Sequence, residues 1–238
     1  MMDKELKRVE SREVGSKRDI KSFVLRQGRL KKSQMEALTL YSDDYVVPFK
    51  EEKLNFKHLF GNDKPVIIEI GFGMGSATFQ IAQERGELNF LGIEVFLTGF
   101  AKLLNRIGQR GLKNIKLMRF DAVEVLEKMV EDNSVAGFHI FFPDPWPKKR
   151  HHKRRLIQAP FVELLTHKLK EGGYIYAVTD WQEYGEQILE VMGENSSLVN
   201  PSNGFAQRQK WRPVTSFERK GVAQGHQIYE VWVEKPDK

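Results

Sequence analysis

Three acidic residues stand where the chain leaves successive short apolar runs: Glu69 within Val66–Ile70, Glu94 after the run from Asn89, and Asp121 after Ile115–Phe120. Glu69 opens a glycine-rich turn, E-I-G-F-G-M-G, that ends at Gly75. A phosphate-binding P-loop would need G-K-[ST], and a dinucleotide fingerprint would need a third glycine where Ser76 stands. A pyrophosphate at the following helix N-terminus would also be repelled by the Glu69 carboxylate. A cationic ligand would not. S-adenosylmethionine carries an ammonium and a sulfonium, and its ribose diol suits an acid at the end of a second strand, the place of Glu94. Gly71 and Gly73 would let the backbone approach the methionine part, and Asp121 would lie near the adenine amino group. One such acid caps a helix or closes a turn; three at successive strand ends read as one site for this methyl donor.

The tract F-F-P-D-P-W-P-K-K-R-H-H-K-R-R-L, Phe141 to Leu156, carries different chemistry. Three prolines within five residues fix φ and hold Asp144 and Trp146 in a stiff, extended turn. Stiffness matters because methyl transfer is an in-line displacement that tolerates misplacement of only about 1 Å. Trp146 reads equally as loop support or as a stacking surface for a base. The octet from Lys148 to Arg155 holds six permanent positive charges, two histidines and no acid. An isolated run of this kind is commonly a solvated face; beside a rigid acidic turn it reads as a contact for a polyanion.

Elements must place these groups on one edge. Strands are expected at 66–70, 89–95, 115–120, 138–142 and 174–178, with helices at 77–84, 96–107 (closed by Gly111), 123–130 and 161–169 (stopped by Gly172–Gly173). Alternation of this kind predicts an α/β fold with a mostly parallel, doubly wound sheet. The run 227–233 follows a stretch with no strong helix and is expected to add an antiparallel edge strand. Ligands of such sheets bind beyond the carboxyl ends of the strands, where the acids lie.

Charge is unevenly placed. Residues 1–32 hold 11 Lys/Arg against 5 Asp/Glu, while the remainder of the 238-residue chain holds 27 of each. The first segment is read as a basic, flexible arm and 33–238 as a single domain. The chain has no cysteine, which excludes disulfides, thiolate metal sites and a cysteine nucleophile. The six histidines form no H-E-x-x-H, so no metal is expected, and His139, inside an apolar run, is expected to be a satisfied core residue. No apolar run is long enough to span a bilayer and no secretion signal opens the chain, so a cytoplasmic protein without membrane contact is expected.

Taken in order, E-I-G-F-G-M-G, G-I-E-V (92–95), R-F-D-A (119–122), F-P-D-P-W-P-K-K-R-H-x-K-R-R, V-T-D (178–180) and T-S-F-E-R-K-G (215–221) closely resemble the bacterial tRNA (guanine-N7)-methyltransferase family, from about residue 30 to the end. The resemblance implies a Rossmann-like class I fold, S-adenosylmethionine as donor with S-adenosylhomocysteine as product, and N7 of guanine 46 in the tRNA variable loop as acceptor. It implies donor contacts from Glu69, Glu94, Asp121 and Asp144, with Asp144 in the active site. Lys148, Asp180, Thr215, Ser216, Phe217 and Glu218 would contact substrate, and Arg150, His151, His152, Lys153, Arg154 and Arg155 the RNA. Members of the family act as monomers or homodimers. Ser216 replaces a common lysine and Lys220 a common arginine, which changes how phosphate or ribose is gripped there.

Guanine N7 offers an in-plane lone pair and no proton, so Asp144 is expected to orient and to stabilise charge rather than to act as a base. Adenine also has an N7; Asp180 is the candidate for choosing guanine, by accepting from N1–H and N2–H₂, with a helix N-cap as its alternative. Three rival readings remain. An exocyclic-amine methyltransferase would share the shape of P-D-P-W, a non-catalytic RNA-binding protein the basic octet, and a nicotinamide oxidoreductase the glycine turn.

Overall fold

The computed structural model describes residues 21–23 and 30–237. Most of the expected basic arm, 1–20 and 24–29, lies outside the described residues. Helix α1 (Lys32–Tyr45) and the short α2 (Phe56–Phe60) precede an alternating body. Its elements are β1 (Val66–Ile70), α3 (Ser76–Glu84), β2 (Asn89–Ile93), α4 (Leu97–Arg110), β3 (Ile115–Met118), α5 (Ala122–Met129), β4 (Val135–Phe141), a 3-10 turn (Lys149–Arg154), α6 (Ala159–Lys168), β5 (Leu169–Thr179), α7 (Gln182–Gly193), α8 (Ser216–Ala223) and β6 (Tyr229–Glu234).

The sheet runs β3-β2-β1-β4-β5-β6, and the first five strands are parallel. β6 pairs antiparallel with β5, Tyr174 opposite Glu234 and Thr179 opposite Tyr229. Helices cover both faces, so β1, β2 and β4 are buried at every position. Alternate residues feed two cores: Ile68, Ile140 and Ile175 join one, while Ile67, Phe141 and Tyr176 join the other with Phe100 and Leu103 of α4. Strand order reverses between β1 and β4, which opens the crevice beyond their carboxyl ends.

Two expectations are corrected. The stretch before the last strand is not without helix, since α7 and α8 lie there. Nor do Gly172–Gly173 stop the preceding helix. It ends at Lys168, and the glycines sit inside β5, where the register jumps from Val135↔Leu169 to Gly137↔Tyr174. Gly172, at φ +70°, takes up the extra residues, and its N–H and the Gly173 carbonyl bond Lys235 instead.

Candidate active site

At the crevice, Glu69 is buried in β1 and accepts a hydrogen bond from the Thr78 hydroxyl (3.0 Å to Oε1). Its Oε2 has no partner among the described residues. Burial pushes the Glu69 carboxyl up to about 8; Thr78 opposes the shift and the negative charge of Glu94 adds to it. Glu94 is also buried. Its Oε2 accepts from the Gly73 N–H (2.7 Å), and its Oε1 accepts from the N–H groups of Val95 (2.7 Å) and Phe96 (2.9 Å). Burial raises this carboxyl as well, the backbone donors oppose it, and Asp144 pushes further in the same direction. Glu69, Glu94 and Asp144 therefore share one electrostatic neighbourhood. At the next strand end Asp121 caps α5, accepting from Val123 N–H (3.0 Å), and pairs with the Lys21 ammonium at 2.8 Å.

The glycine turn is held by Glu94 and by α4. Gly71, Gly73 and Gly75 all lie in the left-handed region, and a Cβ on Gly99 of α4 would come 2.0 Å from the Gly73 carbonyl oxygen. Only glycine at 99 lets the helix sit against the turn, a requirement with no motif to announce it. The residues fit S-adenosylmethionine: an unpartnered buried carboxyl oxygen beside an acidic cluster is complementary to a cation, and Glu94 keeps about one of a carboxylate's four acceptor positions.

Phe142 (φ +54°) and Trp146 (φ +45°) bracket the P-D-P segment in a backbone region that non-glycine residues rarely adopt. Strain of this kind persists where surrounding contacts over-determine it. The Phe142 N–H bonds the Val178 carbonyl (2.7 Å), and the Trp146 indole N–H donates to the Ser22 carbonyl (3.1 Å). The Arg154 guanidinium lies 4.1 Å over the Trp146 ring and His151 meets its edge, so Trp146 supports the loop. Asp144, so held, is exposed.

The basic octet divides. Lys148, Lys149, Arg150 and Lys153 are exposed, whereas Arg154 is partly buried and donates to the carbonyls of Lys21 (3.2 Å) and Phe23 (3.5 Å). Arg155, expected to contact RNA, is turned inward. It is 2% exposed, donates to the Pro145 carbonyl (2.8 Å), Gln187 and His152, and lies over the Tyr184 ring. His152 is half-buried between Arg155 and Glu183.

Later in the chain, Thr215 caps α8 and its hydroxyl accepts from the Glu218 N–H (3.0 Å). Glu218 is buried, its carboxylate gripped by both terminal nitrogens of Arg212 (2.6 and 3.2 Å), so it serves the scaffold rather than facing substrate. Ser216 opens the helix, and Phe217 is 70% exposed, stacked at 6.4 Å on Phe142. Asp180 follows β5 and is half-buried; the N-cap of α7 is Trp181, so the capping alternative for Asp180 falls away.

A family profile described as "Putative methyltransferase" matches residues 63–231. A tRNA (guanine-N(7)-)-methyltransferase of Paraburkholderia xenovorans is 48% identical over 215 residues, 90% of this chain and 83% of the relative. One of Neisseria meningitidis serogroup C is 47% identical, covering 92% of both chains. This chain belongs to the tRNA (guanine-N7)-methyltransferase family. In fold it is similar to the antibiotic-resistance methyltransferase Kmr (TM-score 0.55, 13% identity, 81% of this chain and 95% of that one). It is likewise similar to a 30S ribosomal A1408 methyltransferase from an uncultured bacterium (0.50, 15%, 76% and 92%).

For this methyltransferase fold, sequence reasoning missed several residues. Lys21 reaches from the arm to Asp121 and Glu124, and Arg212 reaches Glu218 and Glu230 from a loop without a motif. His226 contacts Asp180. His139 is satisfied on one nitrogen only: Nε2 meets the Tyr174 hydroxyl at 2.9 Å, Nδ1 has no partner among the described residues, and burial lowers its pKa to about 3. No group of three or more His, Asp or Glu among the described residues could hold a metal, and no described helix is long and apolar enough to cross a membrane.

Proposed function

We propose that this chain transfers a methyl group from S-adenosylmethionine to N7 of a guanine in tRNA, at position 46 of the variable loop. The observation that carries the reading is the juxtaposition of a buried acidic floor, Glu69 and Glu94, with an exposed Asp144 on a strained proline loop that runs directly into four exposed cations.

When bound, S-adenosylmethionine supplies a methyl group on a positively charged sulfur. Glu69, with its unpartnered oxygen, and the glycine turn clamped by Glu94 would hold the donor's cationic part, with Asp121 at its adenine end. Asp144 orients the reactants and stabilises positive charge as it passes to the guanine ring. No proton leaves N7, so no base is needed. Asp180 accepts from N1–H and N2–H₂ of guanine, which adenine lacks. Lys148, Arg150 and Lys153 contact phosphates, which positions the RNA without reading its sequence.

The test is incubation with labelled donor and unmodified tRNA, followed by nuclease digestion and mapping. 7-Methylguanosine at position 46, abolished by replacing that guanine with adenine, is expected. Label on an exocyclic amine would support the rival reading suggested by P-D-P-W, and label at another guanine would overturn the site assignment.

A further inference from the structure

Helix α8 is fixed at both ends, and the second end delivers a histidine. At its start the Thr215–Glu218 capping box is locked by Arg212. At its end Gly225, at φ +83°, turns the chain so that the His226 N–H bonds the Gly221 carbonyl (2.9 Å) and the Gly225 N–H bonds the Val222 carbonyl (2.9 Å). This is the Schellman arrangement, in which a left-handed glycine fixes the direction of the residue after it. That residue, His226, places Nδ1 3.2 Å from Oδ2 of Asp180. Gly221 makes room for the meeting, since a Cβ there would come 3.0 Å from Asp180 Oδ2 and 3.6 Å from the His226 Cβ.

The pair lies just beyond the carboxyl end of β5, with the Asp180 side chain 25% exposed and that of His226 40% exposed. Among the described residues, His226 is the one side chain hydrogen-bonded to the Asp180 carboxylate. A hydrogen bond to one oxygen restrains rotation of the carboxylate about Cβ–Cγ, which favours one direction for the other oxygen.

We propose that His226 is a positioning residue for guanine selection: its Nδ1–H orients the Asp180 carboxylate toward the N1–H and N2–H₂ edge of the target base. The inference rests on the reading of Asp180 as the guanine acceptor. His226 touches neither donor nor acceptor atom in this role; it acts through Asp180.

The experiment compares wild type with His226→Ala, His226→Asn, Asp180→Ala and the Asp180→Ala/His226→Ala double variant. It measures donor Kd by titration, KM and kcat with tRNA, and thermal melting as a check on folding. Asparagine places a side-chain N–H close to the position of Nδ1–H without an imidazole. His226→Ala is expected to raise KM for tRNA about tenfold, the loss of one hydrogen bond to a charged group, with donor Kd unchanged. His226→Asn is expected to return to within about threefold of wild type, and the double variant to be no worse than Asp180→Ala. Equal defects in the alanine and asparagine variants, additive losses in the double variant, or wild-type behaviour of His226→Ala beside a crippled Asp180→Ala would overturn the role of His226. An Asp180→Ala variant that weakens donor binding and spares KM for tRNA would instead overturn the reading of Asp180 itself.

Discussion

A carboxyl group held near 8 by burial makes Glu69 a reporter of what binds beside it. At neutral pH the donor-free protein keeps a proton there. A cation placed next to Glu69 favours the ionised form, so donor binding should expel that proton, and donor affinity should strengthen as pH rises toward 8, by at most tenfold per pH unit. Calorimetry at pH 7 in buffers of different ionisation enthalpy will show the proton release, and Glu69→Gln should abolish it. The stability sign follows from the same shift. The folded value lies above the ordinary 4.5, so the contribution is complete below about 4.5 and is lost as pH climbs through 8. The melting temperature of donor-free wild type should therefore fall more between pH 6 and pH 9 than that of Glu69→Gln. At this scale the sequence was legible in placement: Glu69 and Glu94 stand at the ends of neighbouring strands, as their spacing predicts. It was illegible where distant partners decide exposure. Arg155 and Glu218 carry the family's pattern, yet burial against Tyr184 and Gln187 in one case and Arg212 in the other turns both inward.

Elements were readable wherever apolar spacing was strong, as in α4, whose Phe100, Leu103, Leu104 and Ile107 all face the core. Helix α7 escaped because Gly185 and Gly193 weaken its propensity, and Gly185 is there for a neighbour's sake: a Cβ on it would come 2.7 Å from the Tyr229 Cβ of β6. Gly185→Ala, which by propensity alone should stabilise a helix by about 1 kcal/mol, is expected to destabilise the fold by about 1–3 kcal/mol through overpacking, as read by urea unfolding. The basic element also gives a sharper expectation than its charge count. Arg150 and Lys153 are exposed while Arg155 is not, so Arg150→Ala/Lys153→Ala should reduce the slope of log K for tRNA against log salt by about 1.4–1.8. Arg155→Ala should unfold at lower temperature and change that slope little.

For the whole molecule, one buried ion network joins parts far apart in sequence. Arg212, 1% exposed, bonds Glu218 of α8, Glu230 of β6 and the hydroxyl of Tyr176 in β5. Arg212→Met would strand two buried carboxylates and should cost about 3–5 kcal/mol in chemical denaturation. The doubly wound topology could be read from alternation alone. This brace could not, because it joins four residues, Tyr176, Arg212, Glu218 and Glu230, across chain reversals that no local pattern encodes.

That brace also sets an order of events during synthesis. The crevice acids, from Glu69 to Asp144, are synthesised well before Glu230, which sits in β6. A nascent chain halted short of β6 already has the acids at the ends of β1 to β4, yet lacks Glu230, one of the two carboxylates that hold Arg212 against α8. The chain thus completes the acids of the crevice before it completes the brace behind α8.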